Sequence, residues 1–206
     1  KAIKKVKPLD RNAMDIAQKR WDSIAKPLHS LGKLETLLIQ IAGITGNAEV
    51  DLSRRGLIAM CADNGVVEEG VTQTGQEVTA IVAENFLKYD TSVGVMCKQN
   101  HAEIFPVDMG MVTDTKVRTD HKIAYGTQNM AKGPAMTREQ AVKGLEAGID
   151  MVRELNDKGY RILATGEMGI GNTTTSSAVA SVLLKQPVEE MTGRGAGLTS
   201  EGLVRK

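Results

Sequence analysis

Residues 160–184 constrain the fold of this chain more than any other stretch. Tyr160 to Leu163 is a short apolar run that predicts a buried strand. Ala164 to Ser176 (ATGEMGIGNTTTS) is a glycine-rich turn, and Ser176 to Leu184 (SSAVASVLL) predicts a helix. Gly166, Gly169 and Gly171 fall where the chain passes from strand to helix. Glycine admits positive φ there and lets a ligand approach the backbone. Asn172, Thr173 and Thr174 add N-cap side chains beside unpaired N–H groups at a positive helix end. Such a combination holds phosphate. It also makes an ordinary tight strand–helix turn, and the residues alone leave both readings open.

The spacing Gly166 to Thr173 reads G-x-x-x-x-G-N-T, close to a phosphate-binding loop of the triphosphatase kind. Those loops need a lysine before the Ser/Thr to neutralise β- and γ-phosphates, and here Asn172 takes that place. A turn with hydrogen-bond donors and no cation suits a monophosphate better than a triphosphate.

Elsewhere strand-length and helix-length patterns alternate, which predicts a parallel α/β sheet. Asp10 is placed to cap a helix with Met14, Ala17, Trp21 and Ile24 on one stripe, Trp21 reading as core. Pro27 ends it, and Ser30 or Gly32 opens a second helix to Ile44. Four lysines among residues 1–7 read as a solvated face. Gly56 to Ala62 is a continuous apolar run, as expected of a strand buried on both faces. It delivers Asp63, Asn64 and Gly65 to a strand end, where open α/β sheets collect ligands; an Asx-turn is the competing reading. Polar residues 72–76 lead into a helix with Val78, Ile81, Val82 and Phe86 inward, and Gln76 either caps it or reaches a ligand. Thr91 or Ser92 caps the next helix, Val93 to Lys98. Ala102 to Val107 is a second strand, although Pro106 is uncomfortable in a central one.

Residues 114–130 predict an edge strand and a loop. Thr137 and Gln140 form a capping-box pattern opening a helix to about Asp157, with Val142, Leu145, Ile149, Val152 and Leu155 inward and Gly159 as its stop. Met191 to Leu198 is a second glycine-rich loop. Arg194 in it, between Gly193 and Gly195, is the best anion-binding cation by type, or else a solvated residue of a flexible turn.

Composition excludes several classes. A net charge of +1 and 3% aromatics give no pull toward nucleic acid and no stacking platform. Cys61 and Cys97 lack the C-x-x-C spacing or a neighbouring His, which points to buried thiols in a reducing compartment. No run approaches a membrane span, so the cytoplasm is the expected location. Neither cofactor nor metal is expected.

Four motifs occur in order: ADNGVVEEGVTQTGQEVT (Ala62 to Thr79), GPAMT (Gly133 to Thr137), GEMGIGNTT (Gly166 to Thr174) and TGRGAG (Thr192 to Gly197). With KPLHSLGKLE from Lys26, the whole chain resembles the nicotinate-nucleotide–dimethylbenzimidazole phosphoribosyltransferase family. Small departures are Leu28-His29, where the family usually has Pro-Gly, and Ala196, where it often has Thr. The resemblance implies a Rossmann-like three-layer α/β fold with a mostly parallel sheet. Residues 1–50 would be N-terminal helices of a small helical domain, and residues 51–206 an α/β nucleotide-binding domain incomplete at its C-terminus. A homodimer is implied too. Family members are longer, and a later GEGTGA-like segment supplies the glutamate general base. That base is expected beyond Lys206, so the chain looks like the front portion of the enzyme, cut at both ends.

The implied reaction moves 5-phosphoribosyl from nicotinate mononucleotide to 5,6-dimethylbenzimidazole in cobalamin synthesis, releasing nicotinate and α-ribazole 5′-phosphate. By matching motifs, Gly166, Met168, Gly169, Ile170, Gly171, Asn172, Thr173 and Thr174 would hold the nucleotide's phosphate and ribose. Gly193, Arg194 and Gly195 would lie beside it, toward the nicotinate carboxylate. Asp63, Asn64 and Gln76 would line the azole side, and Glu167 would be a supporting carboxylate. The alternative is a nucleotide-monophosphate-binding module without catalysis, or an inactive fragment of that enzyme.

Overall fold

The computed structural model describes residues 3–206. They divide into two compact units, Lys1–Ser53 and Arg54–Lys206. In the first, α1 (Arg11–Ser23) packs on α2 (Lys33–Thr45). Asp10 caps α1 by accepting from the Ala13 amide at 3.0 Å. Ala13 and Ala17 are its buried residues, and a Cβ on Gly43 would sit 2.7 Å from Met14, so the two helices meet through small side chains. Helix α1 stops at Ser23, four residues before Pro27, and Ile24 turns outward, 47% exposed. Glu35 is buried; its carboxylate holds Lys26 at 2.9 Å and the Leu31 amide at 3.0 Å, which tethers the intervening turn. Of the lysine-rich start, Lys1 lies outside the described residues, and Lys4, Lys5 and Lys7 are exposed.

The second unit is a three-stranded, all-parallel sheet ordered β2-β1-β3, from β1 (Arg55–Ala62), β2 (Ala102–Gly110) and β3 (Ile162–Met168). Helices flank it on both faces, as the alternation of elements predicts. Side chains alternate across a strand, and β1 shows the consequence. Ala59 and Cys61 join Ala80, Ala83 and Phe86 of α3 (Glu77–Lys88) and the loop residues Met111 and Val117. Ile58, on the other face, joins Val107, Tyr160, and Met151 and Leu155 of α5 (Arg138–Asp157). Phe105 meets Tyr160 edge to face, centroids 5.2 Å apart. Helix α4 (Ser92–Gln99), capped by Thr91, lies against β2. The remaining helices are α6 (Asn172–Leu184), α7 (Val188–Met191) and α8 (Ser200–Arg205).

Three expectations need correction. Helix α3 buries Thr79, Ala80, Ala83 and Phe86 while Ile81 is exposed. Helix α5 turns Ala147, Met151 and Leu155 inward and leaves Val142, Leu145 and Val152 outside. Each inward stripe pairs alanines, which let the helix approach the sheet, with one or two large side chains that fill the core. No strand forms in 114–130, where Arg118 makes one isolated bridge to Val107. That segment is held by backbone bonds from Ile123 to Met109 at 2.9 Å and from Thr127 to Asp63 at 3.0 Å, and by Lys122 on Asp108 at 3.0 Å and Arg118 on Glu154 at 2.6 Å. Finally, Pro106 is accommodated because β2 is an edge of this sheet, where a missing N–H costs least.

Candidate functional site

Three loops meet where β1 and β3 end. Strand β3 runs through Gly166, which pairs with Ala59 in the ladder, and continues to Met168. The turn is therefore only Gly169-Ile170-Gly171, shorter than the G-x-x-x-x-G spacing suggests. Gly166 is a strand residue, not part of a phosphate loop. Both turn glycines are required by geometry. A Cβ on Gly169 would stand 2.3 Å from the Ala62 carbonyl, and Gly171 has φ +88° with Val67 Cγ2 at 2.9 Å from a Cβ position.

Helix α6 begins four residues earlier than the sequence suggests, at Asn172, with Gly171 as a cap that offers no side chain. The amides of Asn172, Thr174 and Thr175 bond to the Gly169 and Gly171 carbonyls. Among the described residues, no protein acceptor is found for the Thr173 N–H, which points out of the first turn. Thr174 is buried, and its hydroxyl has no hydrogen-bond partner. The first turn therefore lines the cleft with Asn172 and Thr173, the Thr173 amide being the one left over, while Thr174 is buried.

A cleft of about 250 Å³ opens over this turn, lined by Val71 to Thr74, Met168 to Thr173, Arg194, Ala196 and Leu198. Across it stands a cation that the sequence reading missed. Lys206 Nζ lies 2.9 Å from Thr173 Oγ1 and 3.1 Å from the Gly193 carbonyl. Burial lowers its pKa. The turn itself carries no cation, as its residues imply, but Lys206, 33 residues beyond Thr173, brings one to its threonine. Gly195, at φ +56°, leaves the room, since a Cβ there would meet Thr173 Oγ1 at 2.6 Å and Nζ at 3.4 Å. Arg194 lines the cleft, but its guanidinium is committed to the Leu198 carbonyl at 2.8 Å and Ser200 Oγ at 3.1 Å. It braces its own loop.

Glu167 reaches over the turn and accepts a hydrogen bond from the Asn172 side-chain amide. Although the residue is exposed overall, burial around the carboxyl raises its pKa, and the Asn172 contact opposes that rise. A carboxylate so placed is a better proton acceptor near neutral pH than one in water.

The three residues expected on the azole side separate. Asn64 is a brace: its Nδ2 donates to the Ile170 carbonyl at 3.0 Å, its Oδ1 accepts from Thr175 at 3.3 Å, and Gln76 Nε2 donates to its carbonyl at 3.1 Å. Gln76 thereby ties the start of α3 to the same loop. Asp63 is fully buried behind the cleft and accepts from the Val112 amide at 2.8 Å. Burial raises its pKa. The wall that faces the cleft is Val71 to Thr74 instead, where Gln73 donates to the Gly197 carbonyl at 2.6 Å and closes the two loops together.

The Cys61 thiol is pushed up to about 12 by burial, which leaves it inert as a nucleophile. Among the described residues no group of three or more His, Cys, Asp and Glu is arranged to hold a metal ion. A larger hollow of about 630 Å³ between α5 and the strand ends is walled by apolar groups such as Met109, Ile123, Met136 and Leu145. It lacks the convergent donors of the smaller cleft.

Comparison with known proteins bears on the family and the fold. A family model described as phosphoribosyltransferase matches residues 6–206. The chain is 50% identical over its full length to nicotinate-nucleotide–dimethylbenzimidazole phosphoribosyltransferase of Ruminiclostridium cellulolyticum, and 46% identical over 99% of its length to that of Clostridium tetani. It spans 59% and 57% of those two proteins. The crystal structure of CobT from Thermus thermophilus superposes with a TM-score of 0.84 at 36% identity, over 94% of this chain and 59% of that one.

Proposed function

The chain belongs to the nicotinate-nucleotide–dimethylbenzimidazole phosphoribosyltransferase family, and we propose that its cleft holds nicotinate mononucleotide for transfer of the 5-phosphoribosyl group to 5,6-dimethylbenzimidazole. The observation that carries this is the meeting of a free helix-terminal amide, a threonine hydroxyl and the Lys206 ammonium at one point. One cation and one helix end match a monophosphate; a triphosphate would leave most of its charge uncompensated.

In the proposed reaction the C1′–N bond to the pyridinium breaks and the electron pair leaves with nicotinate as a neutral ring. The imine-type nitrogen of the azole forms the new C1′–N bond, and the other ring nitrogen gives its N–H proton to a carboxylate, which leaves the product ring neutral. Approach from the opposite face of the ribose gives the α product. Glu167 supports this as electrostatic partner or proton acceptor, its carboxyl already biased toward holding a proton. Clamping phosphate and ribose at the turn supplies the positional part of the acceleration. The homodimer and a cytoplasmic location belong to the same proposal. In its support, no helix among the described residues is long and apolar enough to cross a membrane.

Isothermal titration tests the reading. Nicotinate mononucleotide is expected to bind the chain, and ATP to bind at least tenfold more weakly. Equal or tighter binding of ATP would overturn it. A monomer mass in light scattering would remove the dimer.

A further inference from the structure

Thr79 sits in the first turn of α3 and is fully buried. A threonine there gains nothing from helix propensity, and its hydroxyl faces two loops rather than solvent. Thr79 Oγ1 accepts the Ile170 N–H at 3.1 Å, across 91 residues of sequence. The Asp63 carboxyl, in the loop that follows β1, is fully buried, with Oδ2 on the Val112 amide at 2.8 Å and Oδ1 without a hydrogen-bond partner. The Asp63 backbone is fixed as well, its N–H on the Gly110 carbonyl at 2.9 Å and its carbonyl on the Thr127 amide at 3.0 Å. A hydroxyl fixed in the first turn of α3 thus orients the Gly169–Ile170 peptide of the turn. In the next peptide, Ile170–Gly171, Asn64 holds the carbonyl.

We infer that Thr79 is a positioning residue for the nucleotide site, setting the Gly169–Ile170 peptide through a buried relay that runs from α3 by the Thr79 hydroxyl to the Ile170 amide. The inference rests on the proposed reading of this turn as the phosphate cradle. The direction of the Ile170 peptide decides where the next amides point, including the Thr173 N–H that is left for a ligand. Glycines on either side make the turn permissive; without an anchor that freedom spreads over several peptide orientations.

The test compares Thr79→Val, which keeps shape and removes the hydroxyl, with Thr79→Ser, which keeps the hydroxyl and removes a methyl group. Two readouts are followed: exchange of the Ile170 amide by NMR, and the dissociation constant for nicotinate mononucleotide. The valine variant is expected to speed Ile170 exchange about tenfold beyond any change at the β1 amides of Ile58 and Ala59, and to weaken binding about tenfold. The serine variant is expected within about twofold of the parent on both. A purely packing role predicts the reverse ranking, because serine leaves a cavity and valine does not. Equal Ile170 exchange in the valine variant and the parent overturns the relay, as does serine behaving like valine. If the parent does not bind nicotinate mononucleotide, the functional reading falls while Ile170 exchange still decides the relay. If the valine variant fails to fold, the parent decides: Ile170 protected like β1 supports the relay, and exchange at the solvent rate overturns it.

Discussion

Replacing Lys206 by methionine removes a charge from the cleft while keeping most of the side chain's length and its apolar stem. A phosphate hydrogen-bonded to Thr173 Oγ1, itself 2.9 Å from Nζ, would lie about 5 Å from the ammonium. Coulomb's law puts one pair of unit charges at that distance at roughly 3 kcal/mol for an effective dielectric of about 20, and roughly 0.8 kcal/mol in bulk water. The cleft is open on one side and Lys206 is half-buried, so a value between the two applies, about 1.4 kcal/mol or tenfold in affinity. Titration with nicotinate mononucleotide at about 0.05 M and 0.5 M salt measures it. The parent should lose affinity as salt shortens the screening length, and the variant should lose markedly less. Arg194→Ala serves as the control, because its guanidinium is spent on Leu198 and Ser200 and its loss should weaken binding less than that of Lys206. Parent-like affinity and salt dependence in Lys206→Met, or a larger loss in Arg194→Ala, would refute the assignment of the site's charge.

Gly171→Ala forces a Cβ onto φ +88° with Val67 at 2.9 Å; we expect a loss of about 1–3 kcal/mol in urea unfolding, and an unchanged midpoint would contradict the turn geometry. Glu154 is held at a pKa of about 2, first by Arg118 and then by Lys158. A depressed folded-state pKa gives stability that is present above the ordinary carboxylate value of 4.5 and is lost as pH falls toward 2. Glu154→Gln should therefore flatten the acid side of the melting-temperature profile in that window, and a parallel profile would count against the triad. Leu155→Ala, at a fully buried position under the sheet, should cost about 2–5 kcal/mol by denaturant unfolding; a cost below about 1 kcal/mol would mean that α5 packs otherwise.

Capping chemistry and strand content were legible in the residues, because both are local. Asp10, Thr91 and the Thr137–Gln140 box cap helices where the pattern places them. The run 56–62 is a strand buried on both faces. The inward faces of α3 and α5 were legible only in part: Phe86 and Leu155 are buried as expected and Val82 packs against the core, but periodicity weighs valine and leucine above alanine. The packed sheet also takes Ala80, Ala83 and Ala147, which the pattern passed over. Asp63 follows an apolar strand and reads as an exposed turn; three converging loops bury it. Lys206 gave no signal because nothing distinguishes it from the other 25 lysines and arginines until the chain folds. What composition and spacing could not convey was partnership at a distance, and the site is made of such partnerships: 33 residues from Thr173 to Lys206, 91 from Thr79 to Ile170, 106 from Asn64 to Ile170.

The pairing of β3 with β1 places Glu167 opposite Met60, with Gly166 and Met168 on either side of it. Neighbours in a strand point to opposite faces, so slipping β3 by one residue would hand the carboxylate's station to glycine or methionine. Gly159 sets the start of that count at the end of α5, where its φ of +89° releases the chain toward the sheet. The number of residues between Gly159 and Glu167 therefore matters to the site as much as their identity. A one-residue deletion there would abolish the site while leaving every site residue present.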